Sequence, residues 1–410
     1  MNASSRGRDL LNRLGVAVAL FVLAILGASG AVIPAAAVER APAAIAREGI
    51  PAAIARDRPV TTSGHPLTAA NVILDVSPAT RVLSLWKRGG RTGSGDGRTR
   101  ADARRIGQTL PYRTVRVFLR EQFRCIPTEE EVARAIELPD SGICGFGMDP
   151  AYRNRDSIAA VVMAVSARRA ALGSQIAGDV SRYLPGARSW KKIRVWFVIS
   201  SQTMFDAVSL RASADGDSVP VILINLTDVL SYGDTTRERL EALEHVLAHE
   251  VFHAGLRQAE APLPGWADYR DASLSDFAYI RRVMVDEGLA HYIDWRERPG
   301  SDSLFTWKPS SRETFAFSQL AAACRRLRQP GAARGDLIEI IQLAGTGPLW
   351  SKYGAISGMF AAHRIEMALG RRVLRRAIEA GPDEFLRTYR QVARQNPRLS
   401  GIPTELMTQQ

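Results

Sequence analysis

The residues best suited to chemistry stand together at His249-Glu250-Val251-Phe252-His253. Two histidines at i and i+4 of a helix project from one face, the spacing that lets both imidazoles reach a single zinc ion. Glu250, beside the first histidine, is placed to take a proton from water activated by that metal without being a ligand itself. A catalytic zinc site needs a third protein ligand and an open position for water. The candidate is Glu287, in Val285-Asp286-Glu287-Gly288-Leu289-Ala290-His291-Tyr292, which lies 34 residues past His253 and so allows a helix-loop-helix return. His291, four residues after Glu287, is its rival, because both share one helical face. An H-E-x-x-H also arises by chance as a packed histidine pair, but four of the six histidines (His245, His249, His253 and His291) fall in this region.

The elements that must position these groups are legible from periodicity. Thr235 and Glu238 form a capping-box signature, and Leu240, Leu243, Val246, Leu247, Val251 and Phe252 continue at three- and four-residue spacing, so a helix runs from Thr236 to about Leu256. A second helix from about Ser275 to Trp295 carries Glu287. Upstream, Ile158 to Tyr183 has helical spacing and stops at Leu184-Pro185, while Ile193–Ser200 and Val219–Leu226 are rich in branched residues and read as strands. Strands followed by helices make an α+β domain with a small mixed sheet and a mostly helical C-terminal subdomain. The metzincin continuation is excluded, because Leu256 and Ala259 stand where its glycine and third histidine would be.

At this point the chain resembles the gluzincin metallopeptidases, in which H-E-x-x-H on one helix is completed by a glutamate on a later one. The Glu287-Gly288-Leu289-Ala290 segment is similar to the third-ligand segment of such families. The resemblance implies a zincin-like fold, Zn2+ held by His249, His253 and Glu287, and Glu250 as general base. It also implies that Val219–Leu226 is the edge strand along the cleft, where an extended peptide pairs its backbone. In the thermolysin-like branch an aspartate four residues after the ligand glutamate orients a ligand histidine. His291 stands there in this chain, so that duty falls to His291, Asp294 or Glu244. Farther on, Tyr353-Gly354-Ala355-Ile356-Ser357-Gly358-Met359, Gly370-Arg371, Gly381-Pro382 and Phe385 to Tyr389 resemble a run seen in zinc-dependent peptidase families. Tyr353 is thereby a candidate donor to the tetrahedral oxyanion, or else an aromatic packed beside Trp350.

The remainder of the 410 residues frames this domain. Arg6, Arg8 and Arg13 precede an apolar stretch from Leu14 to Gly27, with Ala35-Ala36-Ala37 as a cleavage site, so residues 1–37 read as an export signal or, uncleaved, as an N-terminal membrane anchor. A periplasmic or secreted location follows from it, and no later segment is expected to span a bilayer. Residues 38–108, with the repeat Pro42–Arg47 and Pro51–Arg56 and the Gly/Arg run Gly89–Gly97, read as a low-complexity basic linker in which only Val72–Leu85 has the pattern of a strand or docked segment. The metallopeptidase domain is then 109–400. Cys125 and Cys144 either pair in an oxidising compartment or remain thiols, and Cys324 is left over. The net charge is +12, of which residues 1–110, with 15 Lys+Arg against 7 Asp+Glu, carry +8. Nucleic acid is therefore not an expected partner; the basic N-terminal segment suits an anionic membrane surface, and the domain a peptide or protein substrate. The competing reading is a zinc-binding or envelope-associated binding protein without catalysis.

Overall fold

Two strands of nearly continuous apolar sequence, Ile193–Val198 and Asp217–Asn225, form the middle of a four-stranded sheet. Strands buried on both faces read this way, because neither side chain row meets water. This computed structural model describes residues 64–407, apart from 90–96, 124–126, 141–145, 202–204, 215–216, 271–273, 297, 299 and 332. The expected signal or anchor, the Pro42–Arg56 repeat and the Cys125–Cys144 pairing lie outside the described residues. Cys324 is a free, buried thiol, and burial pushes its pKa up to about 12.

In chain order the strands are β1 (Val72–Asp75), β2 (Ile193–Val198), β3 (Ala207–Ala214) and β4 (Asp217–Asn225). They lie in the order β1-β2-β4-β3, with β2 parallel to both β1 and β4, and β3 antiparallel to β4. The strand expected at the cleft edge, β4, is thus paired on both sides, and β3 takes the edge. Its sequence, Ala-Val-Ser-Leu-Arg-Ala-Ser-Ala, is too mixed to announce a strand, and it is the hairpin with β4 that makes it one.

The linker expected over 38–108 needs correcting in its second half. β1 belongs to the sheet, and it leads into helix α1 (Ser77–Gly89), whose Val82 and Leu85 are buried. Helix α2 (Gly97–Gly107) packs on α4 (Glu129–Glu137), with α3 (Leu110–Phe123) between them in the chain. Arg100 and Arg104 of α2 both pair with Glu130. An arginine-rich segment of low hydropathy therefore folds because few apolar residues, Ala103 and Ile106 among them, suffice to dock it onto an existing core.

Helix α5 (Arg155–Ser181) buries Ile158, Val161, Val165, Leu172, Ile176 and Val180 in that core. By length and composition alone it could cross a membrane, contrary to the expectation for later segments. It packs on α6 (Thr236–Ala259), which starts at the expected capping box of Thr235 and Glu238 and lies against β2, β3 and β4. Helix α7 (Asp276–Arg296) packs on α6, and beyond it come α8 (Ser311–Leu327), α9 (Arg334–Gln342), α10 (Tyr353–Leu369), α11 (Arg371–Glu379) and α12 (Pro382–Gln395).

The close crossing of α7 and α10 explains two of the glycine positions. A Cβ on Gly288 would lie 2.7 Å from the Gly358 backbone, and one on Gly358 would lie 1.9 Å from the Met284 carbonyl oxygen. Only glycine lets the backbones meet this closely, and the crossing holds the helix that carries Glu287. Gly358→Ala is expected to force the helices apart and cost about 1–3 kcal/mol or more, read as a lowered midpoint of thermal unfolding together with weakened metal binding.

Candidate metal centre

His249 and His253 lie in the middle of α6, where the i, i+4 spacing puts both rings on the side facing α7. Their Nε2 atoms are 3.1 Å apart. From α7 the Glu287 carboxylate reaches both rings, with Oε1 at 3.4 Å from His253 Nε2 and Oε2 at 3.8 Å from His249 Nε2. A four-coordinate ion with bonds of about 2.0–2.1 Å holds its ligand atoms about 3.3–3.4 Å apart. The donor set therefore fits zinc in both chemistry and spacing.

Asp286, the neighbour of Glu287, completes the arrangement from behind. Its Oδ1 lies 2.7 Å from His253 Nδ1, which leaves Nε2 of that ring directed at the other donors. Burial works against a charge on His253, yet the carboxylates of Glu287 and Asp286 outweigh it and carry the imidazole up to about 9. The Asp286 carboxyl is held below its usual range: burial opposes ionisation, but the His253 ring and the guanidinium groups of Arg257 and Arg282 prevail. Burial drives His249 well below its usual value, reinforced by the other two histidines and Lys352, so its ring nitrogen is an uncharged donor. Asp286→Asn is expected to leave the fold intact and weaken zinc binding about 10–100-fold, as measured by competition with a chromogenic chelator.

Glu250 is buried with relative exposure of 8%. Burial raises its carboxyl to about 7, with His253 opposing and Glu287 adding to the rise. A carboxyl placed there exchanges a proton readily near neutral pH.

The other expected site residues fall into place less simply. His291 packs its ring 4.6 Å from that of His249, centroid to centroid, and neither of its buried ring nitrogens has a hydrogen-bond partner. It forms with His249 and Asp294 a second group of neighbouring donor atoms. Asp294 is occupied by Arg298, whose Nε lies 2.9 Å from Oδ1, and burial raises its carboxyl to about 6. The carboxylate in contact with His253 is that of Asp286, which stands in addition to the expected His291, Asp294 and Glu244. Glu244 instead joins α6 to α5 through Arg168 at 2.7 Å.

Tyr353 is not brought to the cluster. Its hydroxyl donates to the Ile340 carbonyl at 2.8 Å, and burial raises its pKa with Cys324, Tyr279 and Asp276 as its titratable neighbours. The phenol that does stand by Glu250 is Tyr232, whose hydroxyl donates to Asp206 at 3.0 Å and whose pKa is raised by burial and then by Asp206 and Glu250. The sequence signal for Asp286 was its place beside the ligand glutamate. Tyr232 and Asp206 carry none, because they come from segments flanking the β3–β4 hairpin, Tyr232 from the short 3-10 helix Leu230–Tyr232.

Residues 146–398, well over half of the chain, match the family described as "Putative zinc dependent peptidase (DUF5700)". The match takes in α5 to α12 and three of the four strands, and leaves β1 and α1 to α4 outside it. No curated protein and no solved structure matches the chain.

Proposed function

The chain belongs to this zinc-dependent peptidase family, and from that premise we propose that it hydrolyses peptide bonds at the His249–His253–Glu287 cluster in the gluzincin manner. The observation that carries this reading is the convergence of His249, His253 and Glu287, whose nearest donor atoms stand 3.1, 3.4 and 3.8 Å apart, with the buried Glu250 carboxyl beside them.

When bound, zinc supplies Lewis acidity, which lowers the pKa of water and polarises a scissile carbonyl. The chain's own groups do the rest. Asp286 holds the His253 ring in the orientation that presents Nε2. Glu250 accepts the proton of the attacking water and returns it to the leaving amine, serving as base and then as acid. The edge strand β3, which pairs with β4 alone among the described strands and lends its Ser209 carbonyl to Arg257, offers its outer backbone to an extended substrate. The signal or anchor pattern of residues 1–37 supports a location outside the cytoplasm, and cell fractionation of the full chain tests it.

Removal of metal tests the reading directly. Treatment with a strong chelator should abolish cleavage of a mixed fluorogenic peptide library, and one equivalent of zinc per chain should restore it. Cleavage that survives complete loss of metal would exclude the mechanism.

A further inference from the structure

A cavity of about 620 Å³ opens one helical turn beyond the ligand cluster. The α6 face that carries His253 and the α7 face that carries Asp286 continue into its wall. On α6, Arg257 follows His253 at i+4, and on α7, Arg282 and Tyr279 precede Asp286 by four and seven residues. The connection is also electrostatic, since Arg257 and Arg282 act on Asp286. β3 supplies Arg211 to this cavity and α9 supplies Arg334, so the expected path of a peptide along the sheet edge borders it.

With Arg270, five guanidinium groups line the cavity against two carboxylates, Glu260 and Asp276, and Asp286 just beyond the lining offsets part of the remainder, so the wall stays positive on balance. The pairing inside is uneven. Arg282 holds Glu260 at 2.9 Å, whereas Arg334 and Asp276 are 3.4 Å apart. Arg257 donates to the carbonyls of His253 and Ser209, and Arg270 to those of Glu260 and Leu263, so the hydrogen bonds of both go to dipoles, while the charge of Arg257 also acts on Asp286 from a distance. A cavity with this balance favours an anion, and the planar guanidinium fork matches a carboxylate.

We propose that this arginine-lined cavity is the specificity subsite of the peptidase and takes a substrate carboxylate, from an acidic side chain or from the chain terminus. The inference rests on the peptidase reading and names its substrate class. An acidic residue a few positions from the scissile bond, or a free C-terminus at that distance, reaches the cavity while the backbone lies on β3.

The test uses zinc-loaded Glu250→Gln protein, which retains the ligand set, titrated with matched peptides blocked at both ends that carry Glu or Gln at each position in turn. A parallel set bears a free C-terminal carboxylate. Glu at one position, or the free terminus, should tighten binding by about tenfold or more, as a charge-assisted pair does. The arm that shows the preference identifies the source of the carboxylate. The double variant Arg211→Gln/Arg334→Gln should lose the preference while it keeps zinc and binds the neutral peptides. Equal binding throughout, no binding, or a preference untouched by the double variant would overturn the inference. Wild-type protein that binds the acidic peptides and cleaves none of them would count against the peptidase reading alone.

Discussion

Glu250→Gln is expected to lower kcat/KM for peptide hydrolysis by about 10²–10⁴-fold, the usual contribution of a general acid–base group, with zinc still present at one ion per chain. The substitution keeps the shape and removes only the ability to carry a proton. Its size corresponds to about 2.7–5.4 kcal/mol of transition-state stabilisation. Glu250 is suited to the role because it is buried beside the donor cluster and its carboxyl is raised to about 7. Its backbone lies in the middle of α6, well away from the helix ends, so the fold should not register the change. Parallel measurement of zinc by mass spectrometry and of cleavage rate separates loss of chemistry from loss of metal. A Gln variant as active as the wild type would remove Glu250 from the mechanism.

Glu287→Ala should act on the metal itself, and comparison with His291→Ala decides between the two candidate third ligands. Binding of zinc to a set of four protein ligands is worth about 10–16 kcal/mol, so each such ligand carries about 2.5–4 kcal/mol, and loss of one of the three here is expected to cost about two to three orders of magnitude in affinity. Glu287 lies within 3.4 Å of His253 and 3.8 Å of His249, so its loss leaves two imidazoles to hold the ion. His291→Ala should retain one zinc per chain after dialysis, because His291 stands to the side of the three converging atoms and touches only the ring of His249 among them. The opposite result, zinc lost from His291→Ala and kept by Glu287→Ala, would move the metal to the neighbouring group of His249, His291 and Asp294. Hydrolysis should follow zinc content in both variants.

Several features of the site were open to sequence reasoning for a local reason. The capping box at Thr235 and the 3.6-residue repeat of Leu240, Leu243 and Leu247 depend only on residues a turn apart, so the helix and its histidine face could be read directly. The same holds for α5 and for the two central strands, whose apolar runs need no partner to be recognised. β3 and α2 were missed because their sequences are not apolar enough to stand out, and each forms by docking on an element that already exists. Tyr353 keeps two readings open in the sequence, an oxyanion donor or a packed aromatic, for a related reason. A conspicuous aromatic at a helix start indicates burial, but the direction of its hydroxyl depends on α9, which supplies the Ile340 carbonyl.

The sequence by itself therefore determined the α+β class, the pair of histidines on one helical face with Glu250 between them, and the residues able to serve as a third ligand. These follow from hydrogen bonding and periodicity along one stretch of chain. Only the tertiary structure decided that Glu287 meets both imidazoles, that Asp286 orients His253, that β3 forms the open edge and that five arginines gather beside the cluster. Those outcomes depend on the distance and rotation at which separate helices dock, set here by contacts such as the Gly288–Gly358 crossing, and no periodicity within a single segment encodes them.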